Sequence, residues 1–98
     1  MIEEELLEQI EKAATEKATR LDFCGQLLSF IPKEIRKMTN LKYLDLENHQ
    51  LSSLPTEIVE LANLEYLYLN GNPLPIPPEI LKAEPEKILD FYFTSQYR

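Results

Sequence analysis

The sequence predicts an α/β repeat solenoid: three short coils stacked so that their strands form a small parallel sheet, with a helix covering each end. Three observations carry that prediction. Apolar and proline residues recur in register every 23 positions. Each unit alternates apolar and polar residues and then bends at an Ile-Pro or Leu-Pro step. Both ends of the chain carry apolar residues at helical spacing instead.

The register is the strongest of these signals. Leu21, Phe23, Leu28, Ile31, Pro32, Ile35 and Met38 align with Leu44, Leu46, Leu51, Leu54, Pro55, Ile58 and Leu61, every offset being 23. Leu64, Leu67, Leu69 and Leu74 continue the series from Leu41, Leu44, Leu46 and Leu51. One residue is lost after Leu74, so Ile76, Pro77, Glu79 and Ile80 follow Leu54, Pro55, Glu57 and Ile58 at an offset of 22. Fixed-period self-similarity of this length marks a repeat array.

Within a unit, "YLDL" and "YLYL" have the alternation of a short half-buried strand. Pro55 fixes φ and then allows a helical turn to begin, and Ile58 and Leu61 fall on one face of that turn. One such coil cannot bury its own leucines. Stacking coils buries them continuously, with the strands in a parallel sheet on one side.

Residues 3–17 place Leu6, Leu7, Ile10, Ala13 and Ala14 at helical spacing with charges between them, which reads as an amphipathic helix over the first coil. At the other end Glu84-Pro85-Glu86 starts a helix whose Ile88, Leu89, Phe91, Tyr92 and Phe93 close the last coil. Capping is the reading adopted for both helices, with docking of a partner as the alternative. The chain is thus one domain, 1–98, with a cap helix over 1–17, repeats over 18–40, 41–63 and 64–84, and a second cap helix over 85–98.

Composition narrows the function. A hydrophobic content of 44 % belongs to a folded chain. No apolar run approaches the roughly 20 residues that span a bilayer, and the acidic start MIEEELLEQIEK lacks the basic flank of an export signal. A lone cysteine, Cys24, excludes an internal disulfide framework and suits the reducing cytoplasm. Ten basic against 17 acidic residues give a net charge of −7, which disfavours nucleic acid and anionic membrane surfaces as partners.

The unit resembles a leucine-rich repeat, L-x-x-L-x-L-x-x-N-x-L, and the resemblance runs from about residue 4 to residue 93. Its length, with "LPTEI" in the return segment, is similar to the intracellular Ras-group class, and most of all to cyanobacterial repeat proteins and the repeat regions of Roco GTPases. "EELLEQIEKA" before the array and "NPLPIPPEIL" with "ILDFY" after it fit that likeness. The resemblance implies a horseshoe fragment used for protein binding, with a small GTPase as one candidate partner. The chain carries no GTPase of its own: Gly25 and Gly71 are its two glycines, too few for a G-x-x-x-x-G-K-[ST] loop.

In that pattern an asparagine follows three residues after the strand's last leucine. Gln26, His49 and Asn72 hold those positions and form the expected structural ladder. A buried amide offers both a donor and an acceptor to backbone groups that leave the sheet, and neutral imidazole offers one of each. His49, the chain's single histidine, has no histidine or cysteine at ligand spacing to share a metal. It also has no nucleophile and orienting group to make it a general base. Cys24 has Asp22 nearby instead of a cation, so nothing lowers its pKa. No constellation supports catalysis, and we expect no cofactor and no metal.

Residues alternating with the strand leucines point to the open, concave face of the sheet. These are Arg20, Asp22 and Cys24; Tyr43, Asp45 and Glu47; and Tyr66, Tyr68 and Asn70. Stacking puts Tyr43 and Tyr66 about 4.8 Å apart in the sheet direction. Tyrosine suits binding hot spots because it offers large contact area at low rotamer cost, although strand tyrosines also have good sheet propensity. The expected function is a protein-protein interaction module whose partner presents a basic or apolar surface. Two alternatives are a regulatory or dimerisation piece associated with a Roco/Ras-like GTPase and a self-assembling structural repeat protein, the chain being a monomer or weak homo-oligomer.

Overall fold

The computed structural model describes residues 3–23 and 27–95. Cys24 and Gln26 therefore lie outside the described residues, as do the last three positions of the expected second cap helix.

Helix α1 (Glu3–Thr15) leads into β1 (Arg20–Asp22). A 3-10 return turn (Lys33–Lys37) precedes β2 (Tyr43–Asp45), and a second (Thr56–Glu60) precedes β3 (Tyr66–Tyr68). Helices α2 (Pro78–Leu81) and α3 (Pro85–Ser95) complete the order. Among the described residues the three strands make one parallel sheet, β1-β2-β3. Arg20, Tyr43 and Tyr66 share a row, as do Leu21, Leu44 and Leu67, and as do Asp22, Asp45 and Tyr68. Leucine rows face inward and polar or aromatic rows face out, because side chains alternate along a strand.

Proline sets each return. Pro32, Pro55 and Pro77 have φ of −74°, −71° and −61° with extended ψ, and the helical turn begins at the next residue. Ile35 and Ile58 are then carried beneath the sheet and fully buried. The third return differs from the other two. It is α-helical, with Pro78 at the first helical position, where its missing N–H costs nothing.

The core is a continuous column. Leu21, Phe23, Leu28, Ile31, Ile35 and Met38 are buried from the first unit, and Leu44, Leu46, Leu51, Leu54, Ile58 and Leu61 from the second. Leu67, Leu69 and Ile76 extend it, while Leu64 and Leu74 are partly covered. Each fully buried leucine or isoleucine contributes about 1.5–3 kcal/mol through removal of apolar surface from water.

Helix α1 buries Leu6 and Ile10 and packs on the first return turn. Glu3, Glu4 and Glu5 occupy its first turn, where the helix dipole favours negative charge. The helix stops at Thr15, short of the expected Lys17, because Lys17 turns left-handed with φ of 56°. Its N–H donates to the Ala14 carbonyl (3.0 Å) and the Ala18 N–H donates to the Ala13 carbonyl (2.9 Å), which is the Schellman arrangement, usually built on glycine. At the other end α3 buries Ile88, Leu89 and Tyr92 and packs on α2 and the second return turn.

The bend after each strand also needs left-handed backbone. Gly71 has φ of 80°, and Asn48, its counterpart 23 residues earlier, has φ of 60°. Asparagine tolerates that region because its short side chain bonds locally. A Cβ on Gly71 would come within 2.2 Å of Asn48 Oδ1 and 3.1 Å of the Asn48 backbone nitrogen, so Asn48 would have to shift to admit one.

Candidate functional site

The outward rows of the sheet bring three tyrosines into contact. Ring centroids are 6.1 Å apart for Tyr43 and Tyr66, 5.4 Å for Tyr43 and Tyr68, and 6.5 Å for Tyr66 and Tyr68. The Tyr43–Tyr68 pair meets edge to face, the arrangement that ring quadrupoles favour. Tyr66 and Tyr68, on one strand two residues apart, stand nearly parallel at 17°. Tyr66 is 52 % exposed and Tyr68 36 %.

Tyr43 is half-buried beneath a cation. The Arg20 guanidinium carbon lies 3.9 Å from the Tyr43 ring centroid, within cation–π range. Desolvation by these neighbours pushes the Tyr43 phenol above its ordinary range, with Arg20 acting in the opposite direction. Asp22 and Asp45 sit in register one row on. The Asp45 Oδ1 accepts the Glu47 backbone N–H at 3.0 Å, which fixes the carboxylate at the strand's end. Asn70 is exposed just beyond β3, and its carbonyl accepts the Asn48 N–H at 2.8 Å. Arg20, Asp22, Tyr43, Asp45, Tyr66 and Tyr68 thus occupy one strand sheet, with Glu47 and Asn70 at its margin.

Behind that face lies the ladder. Asn72 Nδ2 donates to the carbonyls of Leu46 (2.7 Å) and Leu69 (2.9 Å), and its Oδ1 accepts the Leu51 N–H (3.1 Å). One coil earlier, His49 Nδ1 accepts the Leu28 N–H at 2.9 Å, the same bond displaced by one repeat. That bond makes Nε2 the protonated nitrogen of the neutral ring. Nε2 is buried and finds no hydrogen-bond partner among the described residues. The imidazole therefore reproduces the acceptor half of the asparagine and, among the described residues, leaves the donor half unmet. Desolvation holds the His49 pKa below its ordinary value, although Asp45 and Asp22 pull the other way.

A sequence model of the leucine rich repeat family matches residues 16–74, more than half of the chain. The chain belongs to the leucine-rich repeat family. No curated protein matches it significantly. Leucine-rich repeat domains generally mediate protein-protein interaction and are typically non-enzymatic. Among the described residues of this leucine-rich repeat protein, no group of three or more His, Cys, Asp or Glu side chains is placed to hold a metal ion. No described helix is long and apolar enough to cross a membrane.

The repeat also carries contacts that its sequence pattern left unseen. The Tyr92 hydroxyl accepts the buried Leu54 N–H at 3.0 Å, so a residue read as purely apolar is also a polar anchor for the second coil. Asn63 Nδ2 donates to the Thr39 carbonyl at 2.8 Å, joining the corners of consecutive coils. Lys37 pairs with Glu11 between the first return turn and α1. On the convex side, Val59, Leu64, Leu89 and Phe93 line a groove of about 590 Å³ between the second return turn and α3, rimmed by Glu86 and Asp90. Polar reach across 38 residues, as for Tyr92 and Leu54, leaves no signature in spacing.

Proposed function

We infer that this leucine-rich repeat protein is an interaction module of the Ras-group, Roco-like class that binds a protein partner through the concave face. The observation that carries this reading is the contact of Tyr43, Tyr66 and Tyr68 on the open sheet, two of them with ring surface in solvent. Clustered aromatic side chains with a polar rim are the usual composition of an interface centre. Asp22, Asp45 and Glu47 supply an acidic margin that suits a basic partner. Arg20 and Asn70 complete the contact surface. In this reading Asn72 and His49 hold the face in shape, and α1 and α3 cap a three-coil array that works in the cytoplasm as a monomer. The Ras-group likeness makes a small GTPase the alternative partner.

Affinity capture with three proteins side by side tests the assignment: the natural chain, Tyr66→Ala/Tyr68→Ala and Val59→Asp. The tyrosine variant should lose its partner, because each hot-spot truncation costs more than about 1 kcal/mol. Val59→Asp, on the convex groove, should retain it. The reverse pattern would move the binding surface to the groove beside α3.

A further inference from the structure

We propose that Tyr66 and Tyr68 receive arginine guanidinium groups from an extended segment of the partner, with arginines at alternate positions. The proposal rests on the concave-face reading and specifies its chemistry.

The molecule already contains one such contact. Arg20 and Tyr43 are register partners, and the Arg20 guanidinium lies over the Tyr43 ring. Tyr66 continues the same row on the next strand, and Tyr68 adjoins both rings, yet no cation–π contact is made to either by a described residue. Among the described residues the aromatic cluster thus holds a cation at Tyr43 and none at Tyr66 or Tyr68.

Charge points to a cation as the occupant. Asp22 and Asp45 are register partners, and like charges opposite one another across strands are unfavourable. Asp45 is in turn the register partner of Tyr68, one strand spacing away. A cation seated on Tyr68 would lie one strand spacing from Asp45. Asp45 uses Oδ1 for the Glu47 N–H, and a carboxylate with about four lone-pair sites keeps capacity for further donors.

Shape selects guanidinium over ammonium. A planar, weakly hydrated guanidinium stacks on a ring while its edge N–H groups remain free for a carboxylate, whereas an ammonium is a compact, strongly hydrated charge. Spacing selects an extended chain. Side chains two residues apart on a strand lie about 6.4–6.8 Å apart along it. The Tyr66 and Tyr68 centroids are 6.5 Å apart. Arginines at alternate positions therefore match the two rings one to one.

The test uses three capped eight-residue peptides of one sequence, carrying two arginines, two lysines or two citrullines at alternate positions. Affinity is read by NMR titration of the full-length protein. The arginine peptide should bind about two- to fivefold more tightly than the lysine peptide, because a weakly hydrated planar guanidinium stacks on a ring better than a strongly hydrated ammonium. Citrulline should abolish binding. Tyr66→Leu/Tyr68→Leu should bring the arginine and lysine peptides level, and Tyr66→Phe/Tyr68→Phe should restore the preference. Equal affinity for the two cationic peptides would overturn the guanidinium proposal, and so would an arginine preference that survives Tyr66→Leu/Tyr68→Leu. If that double variant weakens both peptides equally, the concave face still binds and only the arginine chemistry fails. If neither peptide shifts resonances of β1–β3, or if both shift only Val59 and Phe93, the concave-face reading fails with it.

Discussion

Replacing His49 with asparagine should stabilise the protein, and the size of the gain follows from the hydrogen bonds around it. In the natural chain the Leu28 N–H is satisfied by Nδ1, while Nε2 is buried without a partner among the described residues. An unsatisfied buried donor costs about 1–3 kcal/mol. Asparagine keeps the acceptor and, as Asn72 shows one coil later, turns its donor toward carbonyls of its own and the preceding coil. Against this stands the smaller side chain, which gives up some of the packing made by a ring that is only 4 % exposed. The net gain should be about 0.5–2 kcal/mol, in the range of other single optimising substitutions. For a domain of this length each kcal/mol raises Tm by about 4–8 °C.

The gain should also depend on pH. Folding lowers the His49 pKa, so the unfolded chain takes up a proton that the folded protein resists. Stability from this residue is complete above the unfolded value of about 6.5 and falls as pH drops below it, at up to about 1.4 kcal/mol per pH unit. The asparagine variant lacks that loss, so its advantage widens from pH 7.5 to pH 5. Urea unfolding of both proteins across that range, followed by circular dichroism, measures the difference directly. An advantage that stays constant with pH, or a variant less stable at pH 7.5, would refute the assignment of Nε2 as an unpaired donor.

Three further outcomes are expected. Lys17→Gly should stabilise by about 0.5–1 kcal/mol, because glycine adopts the left-handed C′ conformation without a Cβ penalty; a loss of stability on thermal melting would contradict the cap. Tyr92→Phe should cost about 1–3 kcal/mol by stranding the buried Leu54 N–H, with accelerated hydrogen exchange at Leu54 as its local signature. Removing residues 1–17 should yield an aggregating or non-cooperatively unfolding chain; light scattering that shows a monodisperse monomer with unchanged Tm would make α1 an appendage.

Repeat period, strand rows and inward residues were readable because each depends on spacing alone. The offset of 23 between Leu21 and Leu44 fixes their register, and alternation then assigns Tyr43 and Asp45 to the open face. Pro32, Pro55 and Pro77 located the returns because a fixed φ is a property of the residue. What spacing does not encode is where a long side chain finally rests. Arg20 was placed on the concave face by alternation, but its position over Tyr43 depends on rotamers and on competition with Asp22 and water. The left-handed turn at Lys17 was hidden for a related reason: lysine carries no turn signal, and the Schellman geometry there is imposed by α1 meeting β1. The third return became α-helical where the repeat loses one residue and gains Pro78, a change of register whose local answer the two earlier copies could not supply.

The bend residues give the array a direction of dependence. Asn72 satisfies the Leu51 N–H, and His49 satisfies the Leu28 N–H, so at the bends each of the first two coils takes a side-chain bond from the coil that follows it. Opening from the two ends is then unequal. Fraying of the first coil takes away the consumer of His49 and the Thr19 and Leu28 carbonyls that pair Lys42, Tyr43 and Gln50, but it leaves the Leu51 N–H paired with Asn72. Fraying of the third coil withdraws Asn72 and strands Leu51, whose loss in turn loosens the support for Leu28. Through these side chains the bends are latched from the C-terminal side, and α3, which reaches back through Tyr92 to the Leu54 N–H, is the last latch in the series.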